Sequence, residues 1–501
     1  MPIPTEEPSA PETFGAATEQ LRQWRAAHPT ATLREIERET DRQLARVRAD
    51  LVARIAQGSE RPARPDCPSC GRLMRRVGVR QRTVTTAQEG QLHLHGARYR
   101  CSACGTELFP LAEALDLGSD SLSPWLRELA VRLGAELPFA TAAELLQYCT
   151  GTRLSPATLR RLTLASGEAV GEREEVARCA VEAGTAPPAP CPPDPLLLSV
   201  DGSMVPLVGG EWREVRLAAI GRLPAQATDP PTTDLAYTAT LGTADAFGRE
   251  ALGELHRRGL GQAPTVVAVS DGAPWIQGFV DLHCPQAIRI LDFAHAASYL
   301  AQAAQASLGP GTAATSEWFA TQRHELRHGD PDQVLAALRA LPASGERETA
   351  GRYLSERRDM IGYRALSEAG WPIGSGCVES AHKTVLQARL KRSGMHWCLV
   401  GAQAMITLRL TLANGRWEEQ WPQVGRQQRQ QQRARTAARR RERAPTAPPL
   451  PPLPGPPPRT PCPTASPPVP PPNRSRNGKP AADHPWRRPL FRFTPRPETQ
   501  M

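Results

Sequence analysis

The chain has 501 residues, 40% of them hydrophobic, with 61 Lys and Arg against 51 Asp and Glu for a net charge of +10. That length suggests about three domains, and the apolar fraction can fill packed cores through most of the chain, which excludes a wholly disordered protein. No apolar run approaches the roughly 20 residues that span a bilayer, and the acidic, proline-bearing opening segment lacks the regions of a secretory signal.

In chain order, a helical segment over about 15–60 comes first. Leu33, Ile36, Leu44, Val47, Leu51 and Ile55 recur at spacings of three, four or eight, which predicts an amphipathic helix, in a hairpin with the TEQLRQWRAA segment before it. Thr32 and Glu35 supply a capping box. The helix reads as a packing or self-association element.

Residues 61–118 carry CPSC, thirty residues, then CSAC, with a strand-like alternation between the pairs. Two C-x2-C pairs can each close a knuckle over a tetrahedral zinc ion, so Cys67, Cys70, Cys101 and Cys104 predict a zinc ribbon. Four protein ligands leave no open position, and such a site is structural. His93 and His95, on alternate strand positions, read as surface or DNA-facing groups rather than ligands. The odd total of eleven cysteines argues against a disulfide framework and for a reducing cytoplasm.

A series of short helices is expected over 120–183. Within it TAAELLQYC, the turn TGTRL and SPATLRRLTLASGE have the outline of a helix-turn-helix, with Ser155 as N-cap and Pro156 at the first helical position. Arg160 and Arg161 fall on the second, recognition-type helix; the competing reading is a small helical packing module. A proline-rich linker, 184–195, follows.

The pattern then changes. LLLSVDGSMVPLV, EWREVRLAAIGRL and DLAYTATLG predict a three-stranded meander, followed by a helix, the strand TVVAVSDGA, a short helix and the strand AIRILDFAH. This is an α/β domain over 196–420, with a helical insertion at about 296–370. From 425 to 501 the chain is Arg/Gln-rich and then proline-rich. Residues 426–443 hold eight arginines and one glutamate, and 21 of the 51 prolines lie between 445 and 501. A disordered basic tail is expected there, with salt-sensitive, nonspecific affinity for phosphates.

Three acidic residues stand out. Asp201 and Asp271 each close an apolar run and precede a glycine, so each carboxylate is expected to project from the end of a buried strand, where α/β proteins build sites. Glu379 follows the Gly374-Ser375-Gly376 loop at the start of a helix whose cations, Lys383, Arg389, Lys391 and Arg392, lead to His396 and Trp397. That face suits phosphates; the competing reading of Glu379 is a surface ion pair with Lys383. Three carboxylates without histidine or cysteine favour magnesium or manganese, and two such ions about 4 Å apart serve in-line phosphoryl transfer.

The order Asp201, Asp271, Glu379 resembles the DDE triad of RNase H-like transposases. LLLSVDGSMVPLVGGEWREV, ILDFAHAASYL and PIGSGCVESAHKTVLQARLKRSGMHW resemble blocks of insertion-sequence transposases of the ISKra type, over roughly 30–415. The resemblance implies metal-ligand roles for Asp201, Asp271 and Glu379. Asp292-Phe293-Ala294-His295 looks like the D-x2-H signature of the related Mutator-type transposases, with Asp292 orienting the site or DNA and His295 either accessory or a satisfied core histidine. The proline-rich tail has no counterpart in the family. The implied protein is a nucleoid-associated, cytoplasmic enzyme that binds double-stranded DNA at terminal inverted repeats, at least as a dimer, and performs metal-dependent cleavage and strand transfer. The competing readings are a non-catalytic zinc-ribbon and helix-turn-helix regulator, and an RNase H-like nuclease that uses only water.

Overall fold

A computed structural model describes residues 10–57, 64–88, 90–118, 120–224 and 232–443. The chain is mixed α/β, with a three-stranded and a five-stranded sheet among those residues. It divides into two units at Gln431/Gln432, and the described part of the second is helix as far as Arg443. No described helix is long and apolar enough to cross a membrane.

The N-terminal hairpin consists of α1 (Ala10–Ala27) and α2 (Leu33–Gln57). Its capping box is present: Glu35 Oε2 accepts from Thr32 N at 2.7 Å, and Thr32 Oγ1 from Glu35 N at 3.4 Å. The apolar stripe of α2, expected to pack or to self-associate, is only partly covered within this chain. Val47 is buried, with the small Ala49 and Ala56, whereas Leu33, Leu44, Leu51 and Ile55 are exposed. Only the alanine edge of α2 packs closely on the small sheet, because a sheet backbone admits small side chains nearest to it. That sheet has the order β1 (Arg75–Thr85), β2 (Gln91–Arg100), β3 (Glu107–Leu108), antiparallel throughout.

After the short α3 (Pro110–Ala114) come α4 (Pro124–Glu136), α5 (Phe139–Thr150) and α6 (Pro156–Glu182). Ser155 caps α6 by accepting from Thr158 N at 3.1 Å, and Pro156 takes the first turn, where its missing N–H costs nothing. Arg160 and Arg161 are exposed on that turn. The segment after α6 is irregular yet held: Asp194 pairs with Arg222 at 2.5 Å, and a Cβ at Gly259 would meet Pro190 O at 2.1 Å.

The larger sheet contains β4 (Leu196–Pro206), β5 (Trp212–Arg222), β6 (Thr233–Leu241), β7 (Val266–Ser270) and β8 (Ile288–Leu291), with α7 (Ala244–Arg257) before β7 and α8 (Pro274–His283) before β8. The strand order is β6-β5-β4-β7-β8; β4, β5 and β6 pair antiparallel, whereas β7 and β8 run parallel to β4. Side chains alternate between faces. Leu196, Leu198 and Val200 pack with Phe247 of α7 and Phe279 of α8. Leu197, Val267, Val269 and Ile290 face the opposite way, into a core with the helices that follow β8. These are α9 (Phe293–Leu308), α10 (Ala313–His328), α11 (Pro331–Ala340), α12 (Gly345–Glu356) and α13 (Tyr363–Glu368), at the place expected for a helical insertion.

The chain closes through α14 (Gly376–Ala381), a π turn (His382–Gln387), α15 (Ala388–Leu390), α16 (Leu399–Ala413) and α17 (Trp417–Arg443). Here two expectations change. The Arg/Gln-rich segment expected as disordered tail is helical as far as Arg443, and its first part is anchored by buried Trp417, whose Nε1 donates to Glu128 at 2.7 Å. Residues 444–501, the proline-rich remainder of that expectation, lie outside the described residues. The helical module is also no free-standing domain. One continuous core joins Leu126, Val131, Leu146 and Leu159 of α4, α5 and α6 to Val215 and Leu217 of β5 and to Met405 and Ile406 of α16. Helices α6 and α16 touch backbone to backbone at Gly167, where a Cβ would lie 2.2 Å from Ala404 O.

Arg389 is a further correction. Expected on a DNA-facing surface, it is 1% exposed; its Nε and Nη2 donate to Gly134 O at 3.1 and 3.0 Å, and its guanidinium lies over the rings of Phe139 and Trp397. Burial pulls its pKa down to about 10, so it is still charged at neutral pH. Trp397 is likewise buried rather than DNA-facing. Its backbone pairs beside Leu207 and Val208, which draws the ring into the core, and its Nε1 donates to Leu390 O at 3.1 Å. Arg389→Ala leaves Gly134 O unpaired and a hole under two rings, and is expected to cost about 2–4 kcal/mol in denaturant unfolding.

Candidate active site and cysteine cluster

The sheet register assembles the acidic site. Val200 of β4 pairs with Ser270 of β7, and Ser270 with Leu291 of β8. The next residues, Asp201, Asp271 and Asp292, therefore form one transverse row across three parallel strands. Asp271 and Asp292 stand just past their strand ends, as the sequence suggested. Asp201 does not end a strand: β4 continues to Pro206, paired with β5. It lies where β7 leaves the pairing, so one side of β4 is open beside it.

Each backbone is pinned. Asp201 Oδ1 accepts from Gly202 N at 2.7 Å, and a Cβ at Gly202 would lie 2.1 Å from Glu214 Oε1. Asp271 Oδ1 accepts from Ala273 N at 2.9 Å. The peptide after Asp271 is clamped from α12 and its end: Tyr353 OH donates to Asp271 O, and Arg357 Nε and Nη2 donate to Gly272 O at 3.0 and 2.9 Å. Gly272 has φ +74°, and a Cβ there would strike Arg357 Nε at 2.6 Å, so the clamp and the left-handed turn both require glycine.

Asp292 is buried and caps α9, accepting from His295 N at 2.7 Å. Its other oxygen accepts from Ser375 N at 2.7 Å and Ser375 Oγ at 2.9 Å. Ser375 Oγ also lies 3.4 Å from Glu379 Oε1, to which its one proton can turn instead. Asp292 thus fixes the loop that delivers Glu379, a positioning role read off its own bonds. His295 is half-buried against Tyr299 and Tyr353, with ring centroids at 5.4 and 5.9 Å, and faces the charge of Asp201.

Asp201 feels the whole cluster. Burial above all, with the charges of Asp271 and Glu379 added to it, pushes its pKa up to about 6, against the opposing Gly202 N–H, the second largest effect, and a small pull from His295. Among the described residues the four cysteines form the one group of three or more ligand-type side chains packed within 4.8 Å of one another. The carboxylates interact electrostatically at longer range, as like charges do.

Three groups that matter here were not singled out in the sequence. Tyr353 and Arg357 sit far along the chain, in a helix of ordinary composition, and no local pattern marks them. His382 could have been found: Glu379-Ser-Ala-His382 is an i, i+3 pair, a spacing that puts two ligand-type groups on one helix face. Its Nε2 lies 3.6 Å from Asp201 Oδ2, and burial holds its pKa below the ordinary imidazole value. It opens the π turn, a feature common at functional sites. Arg409 of α16 donates to Thr384 O and Val385 O, both at 2.8 Å, and so holds that wider turn.

The remaining cations divide. Lys383, Lys391 and Arg392 are exposed, as expected, with Lys391 Nζ 5.6 Å from the centroid of the exposed Trp212 ring; Arg389 and Trp397 are inside the core, as described above.

The cysteine cluster is built from two like knuckles. Cys67 N donates to Arg72 O and Gly71 N to Cys67 O, both at 2.8 Å; Cys101 N donates to Thr106 O at 2.8 Å and Gly105 N to Cys101 O at 3.0 Å. Gly71 and Gly105 both have φ +70°. The sulfurs of Cys67 and Cys104, and of Cys70 and Cys101, are 3.5 Å apart. Thr106, bonded to the Cys104 sulfur at 3.1 Å, helps to lower that thiol to about 6. Four convergent sulfurs of this kind can hold a structural metal ion such as zinc. His93 and His95 lie outside the cluster, on strand positions that alternate with the buried Leu92 and Leu94.

No protein-family model matches this chain, and no curated protein matches it.

Proposed function

We propose that the chain is a DDE-type transposase: an RNase H-like domain that cleaves DNA at element ends and joins them to a target with a divalent metal ion, Mg2+ or Mn2+, while a zinc ribbon and the helical module bind the ends. The observation that carries this reading is the row of Asp201 and Asp271 on adjacent parallel strands, with Glu379 brought into their field by a loop tied to Asp292. The strand order β6-β5-β4-β7-β8, antiparallel then parallel, supports the fold assignment.

The donor set suits a hard divalent cation. Burial and then like charge raise the Asp201 pKa, a cost that a cation relieves, and His382 adds a buried imidazole with neither nitrogen in a hydrogen bond of normal geometry. Asp201, Asp271 and Glu379 would hold the ion, which supplies charge neutralisation for in-line phosphoryl transfer. The rest of the work falls to the chain. Tyr353 and Arg357 keep the Asp271 peptide in place, Ser375 and Asp292 keep Glu379 in place, and the exposed Lys383, Lys391 and Arg392 attract the phosphate backbone. Arg160 and Arg161 at the exposed start of α6, and the arginines of α17, add phosphate affinity that weakens with salt. Pairing of two DNA ends calls for at least a dimer, acting where the DNA is, in the nucleoid.

The experiment is a strand-transfer assay with purified protein, divalent metal and DNA carrying the inverted repeats that flank the gene. Joined product is expected; nicked product alone means a nuclease, and binding without cleavage means a regulator. Arg357→Ala is expected to lower the joining rate about tenfold or more through misplacement of Asp271, measured well below the variant's own thermal midpoint because Gly272 O also loses its donors. An unaltered rate removes the clamp from the mechanism.

A further inference from the structure

His382 is 2% exposed, and neither ring nitrogen makes a hydrogen bond of normal geometry, the backbone of Asp201 being the one acceptor near enough to act on the ring. Buried polar nitrogens without partners are rare, because each gives up hydration with nothing in exchange. The ring points at the acidic site, its Nε2 3.6 Å from Asp201 Oδ2. That separation is too long for a hydrogen bond. It suits two donors to one ion: atoms each ~2.1 Å from a shared cation, at angles of about 90–120°, stand ~3.0–3.6 Å apart. The π turn that begins at His382 sets how the residues after Glu379 are placed around the helix, and Arg409 secures that turn.

We propose that His382 Nε2 is a ligand, beside Asp201 Oδ2, of the divalent cation that the acidic site takes. The inference rests on the metal-dependent reading above and extends its ligand set by a nitrogen. A consequence is selectivity. Imidazole strengthens binding of first-row transition ions far more than of Mg2+, so the site prefers Mn2+. The alternative is a purely positioning histidine that donates to the Asp201 carboxylate.

The test uses the full-length protein with zinc loaded, titrated with Mn2+, and pulsed electron paramagnetic resonance of the bound Mn2+. A 14N coupling is expected in the wild type and is expected to vanish in His382→Gln, with Mn2+ affinity weakened at least about tenfold and Mg2+ affinity by less than about threefold. The proposal is overturned if Mn2+ binds in an Asp201-dependent way without nitrogen coupling, or if the coupling persists in His382→Gln. The wild-type spectrum decides without any variant, so a poorly folded mutant does not shelter the idea. Absence of any Mn2+ site sensitive to Asp201→Asn and Asp271→Asn is a different failure: it removes the acidic site itself as a metal centre, and this inference with it.

Discussion

Asp201→Asn, Asp271→Asn and Glu379→Gln should each lower strand cleavage and joining at least about a thousandfold, equivalent to roughly 4 kcal/mol of transition-state stabilisation. Binding of the element ends, measured by gel shift on the same preparations, should stay nearly intact. The three side chains are half-buried or exposed, and their neutral amides are close in shape, so the fold should tolerate them. Full activity in any one variant removes that residue from the site. The pH dependence has a definite sign. Asp201 is pushed up to about 6, so protons compete with the cation as the pH falls through 6, and the metal concentration for half-maximal rate should climb between pH 7 and pH 5. An ordinary aspartate, with its pKa near 4, holds its charge across that range. A metal requirement that is flat from pH 7 to pH 5 contradicts this account of Asp201.

The second large effect concerns the cysteine cluster. Metal analysis should find one zinc per chain, and its removal should unfold one end of the ribbon rather than all of it. The ribbon has two separate small cores. Cys67 and Cys101 are packed with Met74, Tyr99 and the partly buried Ala97 and Leu108, whereas Val84, Leu92, Leu94, Phe109 and Leu111 form another core against Ala49 and Ala56 of α2. The first is too small to persist without a metal, whose binding is worth about 10 kcal/mol or more in such sites. Chelation should therefore release amide protection around Met74 and Tyr99 while that around Leu94 survives. Zinc-free protein with unchanged exchange at Tyr99 sinks the claim.

Local patterns were the most legible part of the sequence. The capping box at Thr32, the N-cap at Ser155, the paired knuckles and the five strands are all set by residues within a few positions of one another, and the structure forms them as the sequence suggests. The acidic row was legible because an apolar run followed by Asp-Gly marks the place where a buried strand gives way to a turn. What the sequence hid was tertiary. A cationic stretch such as Lys383 to Arg392 reads as one face, yet Arg389 turns inward because Gly134 O and the Phe139 ring await it from elements about 250 residues away in the chain, with the nearby Trp397 ring folded in beside them. The same holds for the α2 leucines, whose periodicity predicts burial but whose partner face is taken by alanines. Arg409, alone in an otherwise apolar helix, was a signal of a buried polar task that periodicity by itself does not interpret.

The shared core of α4, α5, α6, the sheet and α16 limits how this protein can be re-engineered or diversified. A cut at the proline-rich stretch before β4 strips the sheet of one wall and leaves Leu217, Met405 and Ile406 facing water, so neither half should be soluble alone. The helical module is thus no interchangeable cassette. Chimeras that keep activity should instead cross over ahead of α4 and retain Ala87 and the backbone bonds of Thr85 to Ser121 and Ser123, through which the ribbon joins that interior.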